Sequence, residues 1–161
     1  MDLKEFTDLE LFELYANCIK ELRSRDVIRT NSITGEFGEH IVIDYFNKNP
    51  SLPKLSLVDP GVEGYDAYAR NGDRYSIKTC TGQTTGIFPC LNEKGIQVIK
   101  KQSFDYVVIC KLDHDFSLEA IYQLDWETFL RHKKWAKSLG TWNLTLTKKM
   151  ISECKILYKR D

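Results

Sequence analysis

The stretch that decides the fold runs from Gly64 to Lys78 and has the sequence GYDAYARNGDRYSIK. Two segments that alternate polar and apolar side chains flank the Asn71-Gly72 pair, and this arrangement is a strong short-range signal for a β-hairpin. The stretch therefore predicts two antiparallel strands, with Asp66 on the first and Lys78 on the second.

Two loop lengths compete for this hairpin. A two-residue loop at Asn71-Gly72 would pair Asp66 with Ile77 and would mix polar and apolar groups on both faces. A three-residue loop from Arg70 to Gly72 places Gly72 where a positive φ is required and separates the two faces cleanly. We therefore predict the three-residue loop, with one face formed by Asp66, Tyr68, Arg74, Ser76 and Lys78 and the other by Tyr65, Ala67, Ala69, Tyr75 and Ile77.

The predicted register brings the polar side chains of the hairpin within reach of one another. Asp66 lies opposite Ser76 and diagonal to Lys78, and diagonal Cβ atoms in such a pair are about 7–8 Å apart. At that spacing Asp66 can hold a cation while Lys78 reaches the same reacting group. The alternative interpretation is a solvated hairpin face, on which Asp, Arg, Ser and Lys are ordinary residues.

The composition indicates one globular domain over residues 1–161, with 42% apolar and 29% charged residues. No run of 18 apolar residues and no signal peptide is present, so we expect a soluble cytoplasmic protein with no membrane partner. The 23 basic and 23 acidic residues give a net charge of zero, which argues mildly against a pure nucleic-acid-binding protein. None of the five cysteines forms a C-x-x-C pair, so neither a zinc ribbon nor a disulfide framework is supported.

The periodicity along the chain predicts an α+β fold. A first helix is expected over residues 3–25, with a core-facing side formed by Leu3, Phe6, Leu11, Leu14, Cys18 and Leu22. A second helix is expected over residues 34–47, with Phe37 and Ile41 buried. The remaining expected elements are strands at 55–58, 104–112 (central), 117–124 and 156–158 (edge), a helix from Asp125 to about Ser138, and a helical turn at 147–153.

The second helix carries three polar residues on one face, because Glu36, Glu39 and His40 are spaced i, i+3 and i+4. Glu39 is expected at the border between core and solvent, where Asp66 would repel it and raise one pKa unless a cation intervenes. Mg²⁺ would resolve that conflict, since it binds through one or two carboxylates plus water and phosphate oxygens. The alternative, which we favour for Glu36, is that acids in a first helical turn only complement the helix dipole. His40 is expected to be exposed or hydrogen-bonded.

The order of these residues resembles the PD-(D/E)xK, or restriction-endonuclease-like, nuclease superfamily. The resemblance rests on the helix Gly35-Glu36-Phe37-Gly38-Glu39, then Gly64-Tyr65-Asp66, then Tyr75-Ser76-Ile77-Lys78, and it covers roughly residues 31–112. It is nearest to small bacterial members of the superfamily. It implies a mixed β-sheet flanked by helices and cleavage of DNA phosphodiesters that depends on Mg²⁺ or Mn²⁺.

The resemblance also implies roles for individual residues. Asp66 matches the metal-binding Asp, Lys78 matches the catalytic Lys, and the helix acid maps best to Glu39. Because nearby carboxylates favour the charged form of a lysine, we expect Lys78 to stabilise charge rather than act as a general base. Ser76 stands where the family usually has an acid, which gives more weight to Glu39 and leaves Glu36 and Ser76 as auxiliary candidates.

Basic residues elsewhere are expected to contact the DNA backbone without reading its sequence. The candidates are Arg74 beside the site, Lys100 and Lys101, and Arg131, Lys133, Lys134 and Lys137 on the late helix. For each lysine the alternative is a solvated surface.

Three functions remain open at this level. The first is a metal-dependent DNA endonuclease, in restriction or defence against foreign DNA, which could act as a homodimer. The second is a non-catalytic nucleic-acid-binding module on the same fold, for which Ser76 is the main support. The third is a domain that binds a partner protein of a defence system.

Overall fold

A computed structural model of the chain describes residues 2–161 and shows a mixed α+β fold. A short 3₁₀ helix at Leu3–Glu5 precedes the main elements. The helices are α1 (Asp8–Ser24), α2 (Ile33–Lys48), α3 (Trp126–His132) and α4 (Lys148–Glu153). The strands are β1 (Leu55–Leu57), β2 (Ala67–Ala69), β3 (Arg74–Cys80), β4 (Tyr106–Leu112), β5 (Leu118–Asp125), β6 (Lys134–Ala136), β7 (Thr141–Asn143) and β8 (Lys155–Lys159).

Six strands form one mixed sheet in the order β1-β2-β3-β4-β5-β8. Only β3 and β4 run parallel, and every other neighbouring pair is antiparallel. The predicted central strand is confirmed, because β4 lies between β3 and β5 and all its residues except Tyr106 are buried. The predicted edge strand is confirmed as β8, and β6 and β7 form a separate hairpin.

The two faces of the sheet are covered by different layers. Helix α2 covers one face, where Val42 and Phe46 pack with Tyr75, Ile77 and residues of β4. The segment 81–105, α3, α4 and the β6–β7 hairpin cover the other face through a cluster that includes Phe88, Phe104, Phe129, Trp142 and Met150. The alternation of side chains along β4 divides its residues between these two cores.

The hairpin has the predicted three-residue loop. Ala67 pairs with Tyr75 and Tyr68 with Arg74, and Gly72 has a φ of +93°. Ala67, Ala69, Tyr75 and Ile77 share one buried cluster, as the predicted face required.

Tyr65 departs from the predicted face and packs against the cluster on the opposite side of the sheet. The reason lies at Tyr75, whose carbonyl accepts the N–H of Asp66 although its ladder partner is Ala67. Two residues of one strand thus oppose one residue of the other, which is the arrangement of a β-bulge and shifts the alternation before it.

The prediction that the first helix packs into the core is wrong. No residue of α1 is buried, Leu3 is exposed in the preceding 3₁₀ helix, and Cys18 is exposed. Phe37 on α2 is also exposed instead of buried. Helical periodicity identifies an apolar side of a helix, but it does not reveal whether the rest of the chain supplies a surface to cover that side.

The predicted helix from Asp125 to Ser138 is too long. Asp125 caps it as expected, through a 2.8 Å bond from the Thr128 N–H, but the helix ends at His132. The next residues form β6, where Trp135 packs edge-on against Trp142 of β7 at 4.9 Å between ring centroids. This aromatic pairing comes from a strand that follows later in the chain, so the local pattern could not indicate it. Within residues 2–161, no helix has the length and apolar character needed to cross a membrane.

Gly38 sets the distance between α2 and the sheet. A Cβ atom at this position would lie 1.8 Å from Thr79 Oγ1 and 2.7 Å from Thr79 Cβ. We expect Gly38→Ala to destabilise the protein by about 2 kcal/mol in urea unfolding, although alanine is the better helix former.

Gly35→Ala is the matched control on the same helix. Its Cβ would meet only the hydroxyl of the exposed Ser32 side chain, at 2.8 Å, and that side chain can rotate away. We expect this variant to be neutral or stabilised by up to about 1 kcal/mol. Equal effects of the two substitutions would contradict the close packing at Gly38.

Candidate active site

Asp66 lies where β2 and β3 separate. The β2–β3 ladder ends at the Ala67–Tyr75 pair. Beyond this pair, the side-chain carboxylate of Asp66, instead of a β2 carbonyl, accepts the hydrogen bond from the backbone of β3. Asp66 Oδ2 accepts the Ile77 N–H at 2.6 Å and the Ser76 hydroxyl at 3.2 Å. These bonds fix the orientation of the carboxylate in the gap between the two strands.

Lys78 is held next to this carboxylate by its place on β3. Its Nζ lies 3.8 Å from Asp66 Oδ2 and 5.2 Å from the centroid of the Phe88 ring, and only 16% of its side chain is exposed. The low exposure limits the conformations available to the lysine. The structure therefore brings together Asp66 and Lys78, as the sequence predicted.

Glu39 faces the same cleft from α2. Glu39 and Asp66 both line it, together with Gly35, Tyr65 and the turn from Val58 to Val62. The side chain of Glu39 is 21% exposed, which agrees with the predicted border between core and solvent. His40 is exposed, as expected.

Arg29 is a site residue that the sequence did not reveal as one. Its guanidinium bonds Glu36 Oε2 at 3.3 Å through Nε, Glu39 Oε2 at 3.2 Å through Nη2, and the Val58 carbonyl at 3.1 Å through Nη1. Glu36 lies in the first turn of α2, as the helix-dipole interpretation requires, but it is also 5% exposed and paired with Arg29, which that interpretation did not include. Arg29 lies in the connection between α1 and α2, outside either helix, so no helical periodicity could have linked it to Glu36.

The cleft makes Glu39 unusually hard to ionise. Burial and the nearby carboxylates of Asp66 and Glu36 raise its pKa from 4.5 to about 7, and Arg29 and Lys78 offset only part of this effect. Repulsion between Glu39 and Asp66 was the expected consequence of placing them together. An additional cation in the cleft would relieve it.

The donors in the cleft fit a metal ion held by few protein ligands. Asp66 and Glu39 offer two carboxylates, which suits Mg²⁺ or Mn²⁺ completed by water and phosphate oxygens. Ser76 supplies no charge, and its hydroxyl donates to Asp66. Across residues 2–161, no three His, Cys, Asp or Glu side chains are grouped so as to hold an ion by themselves.

The basic residues proposed for DNA contact are dispersed, and several have partners within the chain. Arg74 forms a two-pronged pair with Asp105, Lys100 pairs with Glu93 at 2.6 Å, and Arg74, Lys100 and Lys101 line one groove beside Tyr65. Among the basic residues at and after the end of α3, Arg131 pairs with Glu153 at 3.2 Å and Lys133 lies over the Trp142 ring. Lys134 and Lys137 are exposed near the β6–β7 hairpin.

No protein-family model matches this sequence, and comparison with curated proteins yields no match.

The raised pKa of Glu39 predicts a pH-dependent gain in stability for Glu39→Gln. The contribution of wild-type Glu39 is largest below pH 4.5, where the residue is protonated in both states, and it falls as pH rises through about 7. The gap between 4.5 and about 7 corresponds to at most about 3 kcal/mol. Without divalent metal, the variant should match wild type near pH 4.5 and exceed its free energy of unfolding by about 2–3 kcal/mol above pH 8.

Asp44→Asn is the matched control, since Asp44 is an exposed acid on the same helix that pairs with Lys48. Its effect should stay within about 0.5 kcal/mol at every pH. Urea unfolding at a series of pH values measures both variants. If the difference in free energy of unfolding between Glu39→Gln and wild type does not change with pH, then Glu39 ionises as easily in the folded as in the unfolded chain.

Proposed function

We propose that this chain is a metal-dependent endonuclease of the PD-(D/E)xK type that hydrolyses DNA phosphodiester bonds, with Mg²⁺ or Mn²⁺ as its cofactor. The observation that carries the proposal is the 3.8 Å approach of Lys78 Nζ to Asp66 Oδ2, because the Asp66 carboxylate lines the same cleft as Glu39. One cation-binding carboxylate pair and one nearby ammonium are the minimal set for such hydrolysis.

Each side chain has a distinct task in this proposal. Asp66 and Glu39 would hold the ion, which when bound polarises a phosphate and lowers the pKa of a water ligand. Lys78 would place its positive charge beside the phosphate oxygens on which negative charge increases in the transition state. The Ile77 N–H and the Ser76 hydroxyl would keep the Asp66 carboxylate in a single orientation.

Arg29 acts on the site through Glu36 and Glu39. Its bond to Glu39 holds that side chain toward the cleft, and its bond to Glu36 balances a buried carboxylate that would otherwise be uncompensated. Arg29 is therefore a positioning residue in this proposal. Arg29 is paired with Glu36 and Glu39. The negative charge that would attract an ion therefore comes from Asp66 and from the part of the Glu39 charge that Arg29 does not balance.

Further parts of the proposal rest on the resemblance of Gly35–Glu39, Gly64–Asp66 and Tyr75–Lys78 to that superfamily. They are a restriction-endonuclease-like arrangement of the sheet, DNA as the substrate, a cytoplasmic location and a role in defence against foreign DNA. The mixed sheet with α2 packed on β3 is compatible with this arrangement.

A second candidate function is a non-catalytic nucleic-acid-binding module. Ser76 favours it, because this residue is 3% exposed and its hydroxyl is committed to Asp66 where a further acid would strengthen metal binding. Such a module would keep the cleft and bind DNA without cutting it.

The endonuclease proposal predicts that Lys78→Ala lowers DNA cleavage about a hundredfold or more, because it removes the charge that stabilises the transition state. Supercoiled and linear DNA are incubated with Mg²⁺ or Mn²⁺, and nicked and linear products are quantified. Lys148→Ala, at an exposed position at the start of α4, is the matched control and should cleave as wild type does. Cleavage that survives Lys78→Ala would refute the role of Lys78, and DNA binding without cleavage by wild type would favour the binding module.

The cofactor assignment predicts that Asp66→Asn abolishes binding of Mn²⁺ measured by titration calorimetry without DNA. Loss of one of two carboxylates removes half of the charge available to the ion. Asp44→Asn should leave the binding heat unchanged, since Asp44 lies on the exposed side of α2. Equal Mn²⁺ affinity in Asp66→Asn and wild type would place the ion elsewhere.

A further inference from the structure

Helix α1 is a well-formed helix that leaves its largest aromatic side chains exposed, while Leu11, Leu14 and Leu22 are partly covered. Its first turn is closed by a capping box, in which Thr7 and Glu10 each bond the backbone of the other. Yet Leu9 is 68%, Phe12 71% and Tyr15 61% exposed, and no residue of the helix is buried. Large apolar side chains exposed together are typical of an interaction surface.

The three exposed side chains and one partly covered neighbour form a stripe along one side of the helix. Phe12, Tyr15 and the half-buried Ile19 follow the three- and four-residue spacing of a helical face, and Leu9 borders them at the amino-terminal end. We call these four residues the α1 stripe. Two further apolar rings lie beside it, because Phe37 and Phe116 line a groove together with Tyr15 and Ile19.

Phe116 adds to this surface at a conformational cost. It has a φ of +61°, a region that a bulky side chain rarely adopts, and its side chain is 51% exposed. An aromatic ring kept at the surface in this way extends the apolar area beyond the helix itself.

Two charged residues on the same face indicate what covers the stripe. Asp8 lies at its amino-terminal end and Arg23 at its carboxyl-terminal end, four residues before Phe12 and four after Ile19. More widely, Asp8, Glu10 and Glu13 make the first half of the helix acidic, while the second half carries Lys20, Arg23 and one acid, Glu21, which pairs with Arg25 just beyond the helix. The acidic half of one helix would therefore face the basic half of a second, identical helix that runs in the opposite direction.

We propose that α1 pairs antiparallel with α1 of a second copy of this chain, so that the two stripes cover each other around a twofold axis between Tyr15 and Ala16. In this arrangement Asp8 of each copy faces Arg23 of the other, at two equivalent positions about 22 Å apart along the helix. Parallel pairing would instead place Asp8 against Asp8 and Arg23 against Arg23. Electrostatics thus selects the antiparallel orientation, and the apolar stripe supplies the buried surface.

The proposed interface is separate from the cleft of Asp66 and Glu39. The groove beside the stripe and the cleft lie on two sides of the start of α2, and Ser32 lines both. A dimer formed through α1 uses none of the charged side chains of the cleft, so its test can fail or succeed independently of the endonuclease proposal.

Sedimentation equilibrium from low to high micromolar concentration tests the pairing. We expect wild type to dimerise reversibly and Phe12→Glu to weaken dimerisation at least tenfold, since a charge would enter the apolar stripe. Glu13→Gln, on the polar side of the same helix, is the matched control and should dimerise as wild type does. A monomeric wild type across the whole range, or a dimer unaffected by Phe12→Glu, would overturn the proposal.

Charge reversal tests the orientation. Asp8→Arg alone and Arg23→Asp alone should each be monomeric where wild type is dimeric, because each faces two like-charge contacts. An equimolar mixture of these two variants should form a heterodimer, since every Arg then meets an Asp. Circular dichroism of each variant verifies that α1 remains folded, and a mixture that stays monomeric while wild type dimerises would overturn the antiparallel arrangement.

Discussion

The hydrogen bonds that the Asp66 carboxylate accepts from β3 are the constraint on which the rest of the site depends. Where β2 turns away, the Ile77 N–H would lose its strand partner, and the carboxylate replaces that partner at 2.6 Å. An unsatisfied buried N–H is costly, so the fold itself holds the acid in the strand gap. The same carboxylate oxygen lies 3.8 Å from Lys78 Nζ, and scaffold and candidate site therefore share one group.

Helix α2 brings the second half of the site to this gap, and Gly38 allows it to approach. Because the helix backbone passes so close to Thr79, Glu39 faces Asp66 rather than open solvent. The approach has an electrostatic cost that appears in the pKa of about 7 for Glu39. Arg29 and Lys78 limit this cost without removing it, and the cation of our proposal would reduce it further. In our proposal, the ionised Glu39 that would bind a cation also lowers the free energy of unfolding of the ion-free protein.

The chain separates its chemistry from its exposed apolar surface. The cleft lies between α2 and the β2–β3 hairpin, whereas the stripe of Leu9, Phe12, Tyr15 and Ile19 lies on a helix that contributes nothing to either core. A helix with no fully buried side chain gains little stability from the domain, and covering Leu9, Phe12 and Tyr15 would require another molecule. The capping box shows that the helix is nevertheless defined by its own sequence.

The sequence by itself determined the hairpin register, the central strand and the placement of Asp66 and Lys78 on one face of the hairpin. These follow from turn chemistry at Gly72 and from periodicities of two and 3.6 residues, which are local properties. Only the tertiary structure decided the exposure of α1, the early end of α3 at His132, the bulge that moves Tyr65 across the sheet, and the pairing of Arg29 with the buried Glu36. Each of these depends on a partner far away in the chain or absent from it, and a periodic pattern carries no information about which surface, if any, will cover it.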